Sequence, residues 1–165
     1  MSDNDLESMP AEPERALSLY EDGIHRALSL DLEGASRRFE EVIALDPRHV
    51  GARCNLGAIL RLQGRTDEAL GNFQQALRID AGHARTLSNL GAVFHDQGRI
   101  QDAELAFCRA IRLDPTLGEA HYNLSLLYCR RQQFDRAWNH AREAAGLGMR
   151  EGAVLLEEIE RLMER

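Results

Sequence analysis

The sequence has few aromatic residues, few cysteines and no long apolar run. Aromatic side chains make up 5% of the 165 residues, and three cysteines are present. Cys54, Cys108 and Cys129 are widely spaced and include no CxxC pair, which predicts reduced thiols rather than a disulfide framework or a zinc site. No segment reaches the ~20 uninterrupted apolar residues that a membrane-spanning helix needs. We therefore expect no membrane insertion.

Positive charge is scarce as well. The net charge is -7 and no run of lysine or arginine offsets it locally, so the chain would repel phosphate backbones and anionic lipid. Residues 1–15 are rich in acids and contain two prolines, unlike the basic start and apolar centre of a secretory signal. They predict an acidic, flexible arm. We expect a cytoplasmic protein that binds protein rather than nucleic acid.

Motifs of catalysis are missing. The six histidines form no HExxH and no His/Cys cluster, and the sequence has no GxSxG, P-loop or GxGxxG. His49 and His83 recur together with the sequence that surrounds them, which favours residues of a repeated linkage over metal ligands. The sequence therefore predicts a protein that is not an enzyme and that uses no cofactor and no metal.

A 34-residue period dominates what is present. The pattern Asn89-Leu90-Gly91, followed by a turn glycine and by Asp114-Pro115, has a counterpart one period earlier around Asn55 and another one period later around Asn123. Such a period indicates a repeat architecture. We divide the chain into the arm 1–15, four units and a C-terminal capping helix. The units are 16–49, 50–83, 84–117 and 118–151, and the capping helix is 152–165.

Each unit predicts two amphipathic helices of about 13 residues joined by a short turn. Gly57 and Gly91 place minimal side chains where the two helices of a unit must approach closely. The first helix is expected to begin after Pro13. In the capping helix four apolar residues are expected to face the preceding repeat, because the last repeat would otherwise leave an apolar face uncovered. These four are Val154, Leu155, Ile159 and Leu162.

The pattern resembles the tetratricopeptide repeat family, whose unit is a 34-residue helix-turn-helix with Asn/Leu-Gly in the first helix and a terminal proline. The resemblance runs from Ala16 to the end of the chain. It implies an all-α, right-handed superhelical solenoid whose first helices line a concave groove. In this family the groove holds a peptide or a helix of another protein.

The resemblance also implies which residues form the groove, when the family positions are transferred one by one. The first helices of the four units contribute side chains that share one face. We predict a peptide-binding groove that includes Tyr20, Ile24, Asn55, Arg61, Arg85, Asn89, His95, Tyr122, Asn123 and Arg130.

Asn55, Asn89 and Asn123 are the most specific feature of this groove. A carboxamide offers a donor and an acceptor, so it can bind the N–H and the C=O of a peptide backbone together. The alternative is that these asparagines only cap or brace neighbouring helices. We predict that the ladder binds an extended main chain and that Arg61, Arg85 and Arg130 favour acidic ligand side chains.

Two functions fit the pattern. In the first, the chain is a non-enzymatic adaptor or chaperone-like module whose groove takes a partner protein. In the second, it is a self-assembling scaffold whose groove takes another copy of itself through a heterologous contact. An apolar mouth around Leu17 at the N-terminal end is either an anchor pocket for a partner or the seat of the protein's own arm.

Overall fold

The computed structural model describes residues 12–164, and this part of the chain contains nine helices and no strand. The all-α repeat prediction is thereby confirmed. The helices are α1 (Glu12–Leu28), α2 (Leu32–Leu45), α3 (Val50–Leu62), α4 (Thr66–Ile79), α5 (Ala84–Asp96), α6 (Ile100–Leu113), α7 (Gly118–Arg130), α8 (Phe134–Gly146) and α9 (Arg150–Met163).

The helices form two compact units. The first unit ends at Ile79 and contains the hairpins α1/α2 and α3/α4, while the second unit begins at Asp80 and contains α5/α6, α7/α8 and α9. Residues 1–11 of the predicted arm lie outside the described residues. The expected start of α1 after Pro13 is wrong, because the helix already includes Glu12. Proline suits a first helical turn, where its missing N–H costs no intrahelical bond.

The turn inside every hairpin has the same backbone conformation. Gly64 and Gly98 have φ values of 77° and 73°, and the equivalent residues Leu30 and Gln132 have 63° and 58°. Positive φ is free of steric cost only for glycine. The first and fourth hairpins therefore keep the repeat geometry with side chains that strain it.

A glycine of the first helix receives a phenylalanine ring of the second helix in three hairpins. A Cβ atom built on Gly57 would lie 2.6 Å from the ring of Phe73, and one built on Gly91 would lie 2.8 Å from the ring of Phe107. Gly23 faces Phe39 in the same way, at 2.7 Å. The rings are fully buried. Gly57 and Gly91 thus face the second helix of their hairpin as predicted, but what they leave room for is an aromatic ring rather than the backbone of that helix.

The fourth hairpin has neither the glycine nor the phenylalanine at these positions. Ser125 and Ala141 occupy the positions of the glycine and the ring, and both are completely buried. Since no ring separates the helices, the hydroxyl of Ser125 donates a hydrogen bond to the backbone carbonyl of Ala137, 2.8 Å away. A hydrogen bond from a side chain to the backbone thus replaces the packing of an aromatic ring between the two helices.

The last helix, α9, covers the end of α7/α8 with only half of its predicted apolar face. Leu155 and Ile159 are buried in a core that includes Leu124 and Leu127. Val154 and Leu162 instead remain 58% and 48% exposed, so their predicted burial is wrong. No further element among the described residues follows α9, and side chains on its flank therefore have nothing to cover them.

A polar contact also joins α8 to α9. The indole nitrogen of Trp138 donates to a carboxylate oxygen of Glu160 at 3.0 Å, and the Arg142 guanidinium lies 4.8 Å from the centre of the indole rings. Trp138 is half-buried. Within residues 12–164, no helix is both long enough and apolar enough to cross a membrane.

Candidate functional site

Tyr20 connects α1 to α3 in the first unit. Its ring lies 5.7 Å from that of Phe39 and 4.6 Å from that of His49, measured between centroids. Its phenol oxygen accepts a hydrogen bond from Nδ2 of Asn55 at 3.2 Å. Two of the predicted groove residues are therefore brought together, and in this contact Asn55 braces a neighbouring helix.

The other predicted groove residues of the first unit are Ile24 and Arg61. Ile24 lies on α1, one helical turn beyond Tyr20, and Arg61 lies in the last turn of α3. Both side chains are half-buried. A partner could reach them only in part, which suits a contact at the edge of a binding face.

In the second unit His95 and Arg130 form a bridge between α5 and α7. Nη1 of Arg130 lies 2.8 Å from Nε2 of His95, so the guanidinium donates to the imidazole. Nδ1 of His95 lies 3.7 Å from the carboxylate of Asp96. The structure thus brings His95 and Arg130 together.

Arg85 projects from the first turn of α5 and is exposed. Hydrogen bonds from the side chain and the backbone N–H of Thr116 hold the pKa of Asp114 below its usual range, and the nearby Arg85 adds to this effect. Because Asp114 is satisfied by Thr116, the guanidinium of Arg85 remains at the surface, where a ligand carboxylate can reach it.

A pocket of about 360 Å³ lies between α7 and α9. Tyr122 and Leu126 of α7 and Val154 and Leu155 of α9 form its apolar lining, and Arg150, Glu151 and Glu158 complete it. Asn123 follows Tyr122 in the chain, is half-buried and makes no side-chain hydrogen bond with any residue from 12 to 164. Helix α7 therefore carries both this amide and one wall of a cavity large enough for an aliphatic side chain.

Asparagines on second helices behave differently. Nδ2 of Asn72 donates to the carbonyl of Glu68 and Nδ2 of Asn139 donates to that of Asp135, both at 3.0 Å and both within their own helix. Such local bonds satisfy the amide without help from another element. Asn55 and Asn123 are not engaged in this way, and these two therefore differ from the asparagines of the second helices.

Two histidines cap first helices, a role that the sequence interpretation missed. Nδ1 of His49 accepts from the backbone N–H of Ala52 at 3.0 Å, and Nδ1 of His83 accepts from that of Thr86 at 3.3 Å. Burial lowers the pKa of His83, against the opposing charge of Asp80. The signal was their equivalent position directly before a helix in successive units, but histidine is not among the common N-cap residues.

A second polar cluster lies between α7 and α8. Nδ1 of His121 and Nδ1 of His140 are 3.1 Å apart, and Nε2 of His121 lies 3.2 Å from the carbonyl of Pro115. Burial lowers the pKa of His140, and His121 lowers it further. Both nitrogens of His121 are satisfied by these contacts, so the pair is a buried structural contact rather than an open reactive site.

Tyr128 extends this cluster towards α6. Its hydroxyl donates to Glu104 at 2.8 Å, and Arg131 binds the other oxygen of the same carboxylate. Burial, followed by the bond to Glu104, raises the pKa of Tyr128 to about 12. No group of three or more potential metal-ligating side chains occurs among the described residues.

Helix-turn-helix pairs that recur with a constant period, with equivalent glycine, turn and cap positions, define a helical-repeat protein. Residues 51–116 match the family model described as tetratricopeptide repeat. This stretch of the chain therefore consists of tetratricopeptide repeats, in agreement with the resemblance seen in the sequence. Repeats of this kind bind other proteins, because stacked units present extended surfaces.

Solved structures share the fold. PilF of Pseudomonas aeruginosa is 18% identical, with a TM-score of 0.79 over 93% of this chain and 71% of that chain. Cut9, from an APC/C hetero-tetramer with Hcn1, is 20% identical, with a TM-score of 0.82 over 97% of this chain and 32% of Cut9. MamA of Desulfovibrio magneticus RS-1 is 25% identical, with a TM-score of 0.63 over 80% of this chain and 75% of MamA.

A curated relative matches a shorter stretch. An FK506-binding protein-like protein of Mus musculus is 40% identical over 58 residues. The match covers 35% of this chain and 16% of the mouse protein. The likeness is therefore one of repeats rather than of whole proteins.

Proposed function

We propose that this chain is a non-enzymatic interaction module whose first-helix faces bind the main chain of an extended partner segment. Asn55 makes this contact in the first unit, and Asn89 and Asn123 make it in the second. Asn55 gives one N–H to Tyr20, which leaves its second N–H and its oxygen for a ligand. The module acts as an adaptor or in a chaperone-like role.

The observation that carries the proposal is the environment of Asn123. Its half-buried amide makes no side-chain bond within residues 12–164, whereas Asn72 and Asn139 are satisfied by their own helices. No described residue occupies this amide, so its donor and its acceptor are both available to a ligand. A peptide main chain restores a donor and an acceptor together.

The pocket between α7 and α9 indicates which ligand side chains accompany that main chain. Tyr122, Leu126 and Val154 supply apolar walls for one aliphatic or aromatic side chain of the ligand. Arg85 and Arg130 provide positive charge on α5 and α7 of the same unit, which favours acidic ligand side chains. The preferred ligand is therefore an extended segment with one apolar anchor and acidic neighbours.

Selection from a displayed random peptide library tests the proposal, with binding of the selected peptides measured by fluorescence anisotropy. Asn123→Ala should weaken binding by roughly tenfold, because two hydrogen bonds net about 0.5–1.5 kcal/mol each. Asn139→Ala is the matched control, since this asparagine lies on α8 and bonds its own helix. Methylation of the ligand's amide nitrogens, one at a time, should weaken binding by a similar factor at the one ligand position that Asn123 contacts.

Equal binding by the Asn123→Ala and Asn139→Ala variants would contradict the proposal. So would a ligand that tolerates methylation of each of its amides, because recognition would then depend on side chains alone. Circular dichroism of both variants should match that of the wild type, since the substituted amide of Asn123 supports no other described residue.

A second candidate function, self-assembly as a scaffold, is favoured by exposed apolar residues on the first and the last helix. Leu17 of α1 is 57% exposed beside a pocket of about 350 Å³ that also includes Leu45 and His49. Val154 of α9 is 58% exposed. Contact between α1 of one copy and α9 of another would cover both residues by a heterologous interface.

Light scattering after size-exclusion chromatography tests this candidate. Mass should rise with concentration in the wild type and stay at that of one chain in Leu17→Glu and Val154→Glu variants. A wild type that stays monomeric at high concentration would exclude self-assembly and leave the peptide-binding function unaffected.

A further inference from the structure

The first helices α3 and α5 begin at histidines whose rings, rather than the usual hydroxyl or carboxylate, hold the first helical turn. Nδ1 of His49 accepts from the N–H of Ala52 at 3.0 Å. Nδ1 of His83 accepts from the N–H of Thr86 at 3.3 Å and lies 2.7 Å from the hydroxyl of Thr86. An accepting Nδ1 carries no proton, so each ring is neutral with its proton on Nε2.

A proton and the helix compete for the same lone pair. When Nδ1 takes up a proton, it can no longer accept from the N–H of Ala52 or Thr86, and the capping bond is lost. At His83 the protonated Nδ1 can then donate to the hydroxyl oxygen of Thr86, 2.7 Å away. The charge of the imidazolium also lies at the positive end of the helix dipole. The two effects act in the same direction, and both oppose the cap.

Burial and the charges around His83 determine how strongly its neutral form is favoured over the protonated form. Asp80 precedes it and favours the cation, while burial and Arg85 favour the neutral form. Arg109 of α6 approaches the same loop and donates to the carbonyl of Ala81 at 3.4 Å. Burial is the largest of the effects on the pKa of His83, which therefore lies below that of a free imidazole.

The surroundings of His49 connect the cap to a functional side chain. Its ring contacts that of Tyr20 on α1, and the Tyr20 hydroxyl accepts the hydrogen bond of Asn55. Glu12 and Asp46 line the pocket that His49 borders, and Arg53 is held on the carbonyl of Pro47. Arg48 is the basic residue next to His49 in the chain. A displacement of the His49 ring therefore disturbs the packing of the Tyr20 ring.

We propose that His49 and His83 are acid-sensitive caps whose protonation releases the first turns of α3 and α5 and, in the first unit, the Tyr20–Asn55 contact. Because burial lowers the pKa of His83, the folded state loses stability as pH falls from the pKa of the free imidazole, about 6.5, through the lower pKa of folded His83. Below that range both helices begin with unsatisfied N–H groups. The inference concerns the helices themselves and holds whatever partner they bind.

Nuclear magnetic resonance of the full chain tests the proposal at the level of single atoms. At about pH 7.5 the imidazole nitrogens should report a proton on Nε2 and none on Nδ1 of both histidines. Between about pH 7.5 and 5, the protection of the Ala52 and Thr86 amides from hydrogen exchange should fall about tenfold or more after correction for intrinsic rates.

Asparagine provides the matched variant, because it caps helices well and does not titrate in this range. In His49→Asn and His83→Asn proteins the protection of the amide that the residue caps should become insensitive to pH, with the other cap unchanged. His25→Asn is the control, since His25 is exposed on α1 and away from any helix start. In this variant the protection of the Ala52 and Thr86 amides should depend on pH as it does in the wild type.

Three results would overturn the proposal. The first is an Nδ1 that carries a proton at neutral pH. The second is protection of Ala52 and Thr86 that does not change with pH in the wild type. The third is an equal acid-induced loss in the asparagine variants, which would assign the effect to another group such as the His121–His140 pair. Each single variant is judged by the amide that it caps, with the other cap as an internal reference.

Discussion

The amide of Asn55 donates to the phenol oxygen of Tyr20, which lies 35 residues earlier in the chain. Tyr20→Phe should lower the free energy of unfolding by about 0.5–1.5 kcal/mol, the net contribution of one hydrogen bond. In an Asn55→Ala background the same change should cost less, because the partner is already absent. Urea denaturation of the four proteins gives the coupling energy. A coupling energy of zero would show that the bond contributes nothing to stability.

The chain supplies its own control for this experiment. Tyr122 occupies the same repeat position as Tyr20 but borders the pocket between α7 and α9, and it makes no side-chain hydrogen bond within the described residues. Tyr122→Phe should therefore change stability little. A large loss there would indicate that a phenol at this position stabilises the fold by a means other than the bond to Asn55.

Gly91→Ala and Gly71→Ala should change stability in opposite directions. A methyl group on Gly91 would lie 2.8 Å from the buried ring of Phe107, and overpacking of this kind costs about 1–3 kcal/mol. Gly71 is exposed on α4 with nothing within 4 Å, so alanine should stabilise that helix by about 0.5–1 kcal/mol. Denaturation midpoints measure both. The same sign for both variants would contradict the wedge at Gly91.

Leu30→Gly should stabilise the first hairpin. Leu30 has a φ of 63°, which costs a non-glycine residue about 1–2 kcal/mol, and its side chain is 82% exposed. After the greater chain entropy of glycine is deducted, we expect a gain of about 0.5–1 kcal/mol in thermal or urea denaturation. Leu30→Ala is the control, because it shortens the side chain and keeps the strain. Equal effects of the two changes would assign the gain to lost apolar surface.

Tyr128 should resist ionisation in the folded protein. Its pKa is raised to about 12, first by burial and then by the bond to Glu104. The stability that the neutral phenol contributes is therefore present below pH about 10, the pKa of a free phenol, and is lost as the pH rises through the folded pKa. Ultraviolet absorbance of phenolate during an alkaline titration measures this.

Glu104→Gln separates the two causes of that shift. The variant should ionise Tyr128 at lower pH than the wild type does, while burial keeps its pKa above that of a free phenol. Glu119→Gln, an exposed change on α7, should leave the pH at which Tyr128 ionises unchanged. If both variants titrate alike, the carboxylate of Glu104 does not act on the phenol.

The repeat period made most of the fold predictable. Equivalent residues in successive units meet equivalent surroundings, so small residues such as Gly57 and Gly91 could be assigned to a helix crossing before the structure was known. The same logic does not reach the ends of the chain. Val154 and Leu162 were predicted to face the preceding repeat because the last repeat needs a cover, but full burial also requires an element on the far side.

The binding face was less predictable than the fold. A period assigns Tyr20 and Asn55 to one face, but it does not say whether the two side chains turn to a ligand or to each other, and they meet. It also revealed that His49 and His83 are equivalent without revealing that their rings accept backbone bonds. These properties depend on side-chain torsions and on small differences in distance, which a pattern of residue types does not contain.

The contact between Trp138 and Glu160 has a consequence for spectroscopy. Trp138 is the only tryptophan of the sequence, it is half-buried, and its indole N–H is bonded to α9 while Arg142 lies over its rings. Indole fluorescence from this protein therefore comes from the junction of α8 and α9. Detachment of the last helix would alter the emission before the other repeats unfold. Tryptophan fluorescence therefore reports local opening at the C-terminal end of the chain.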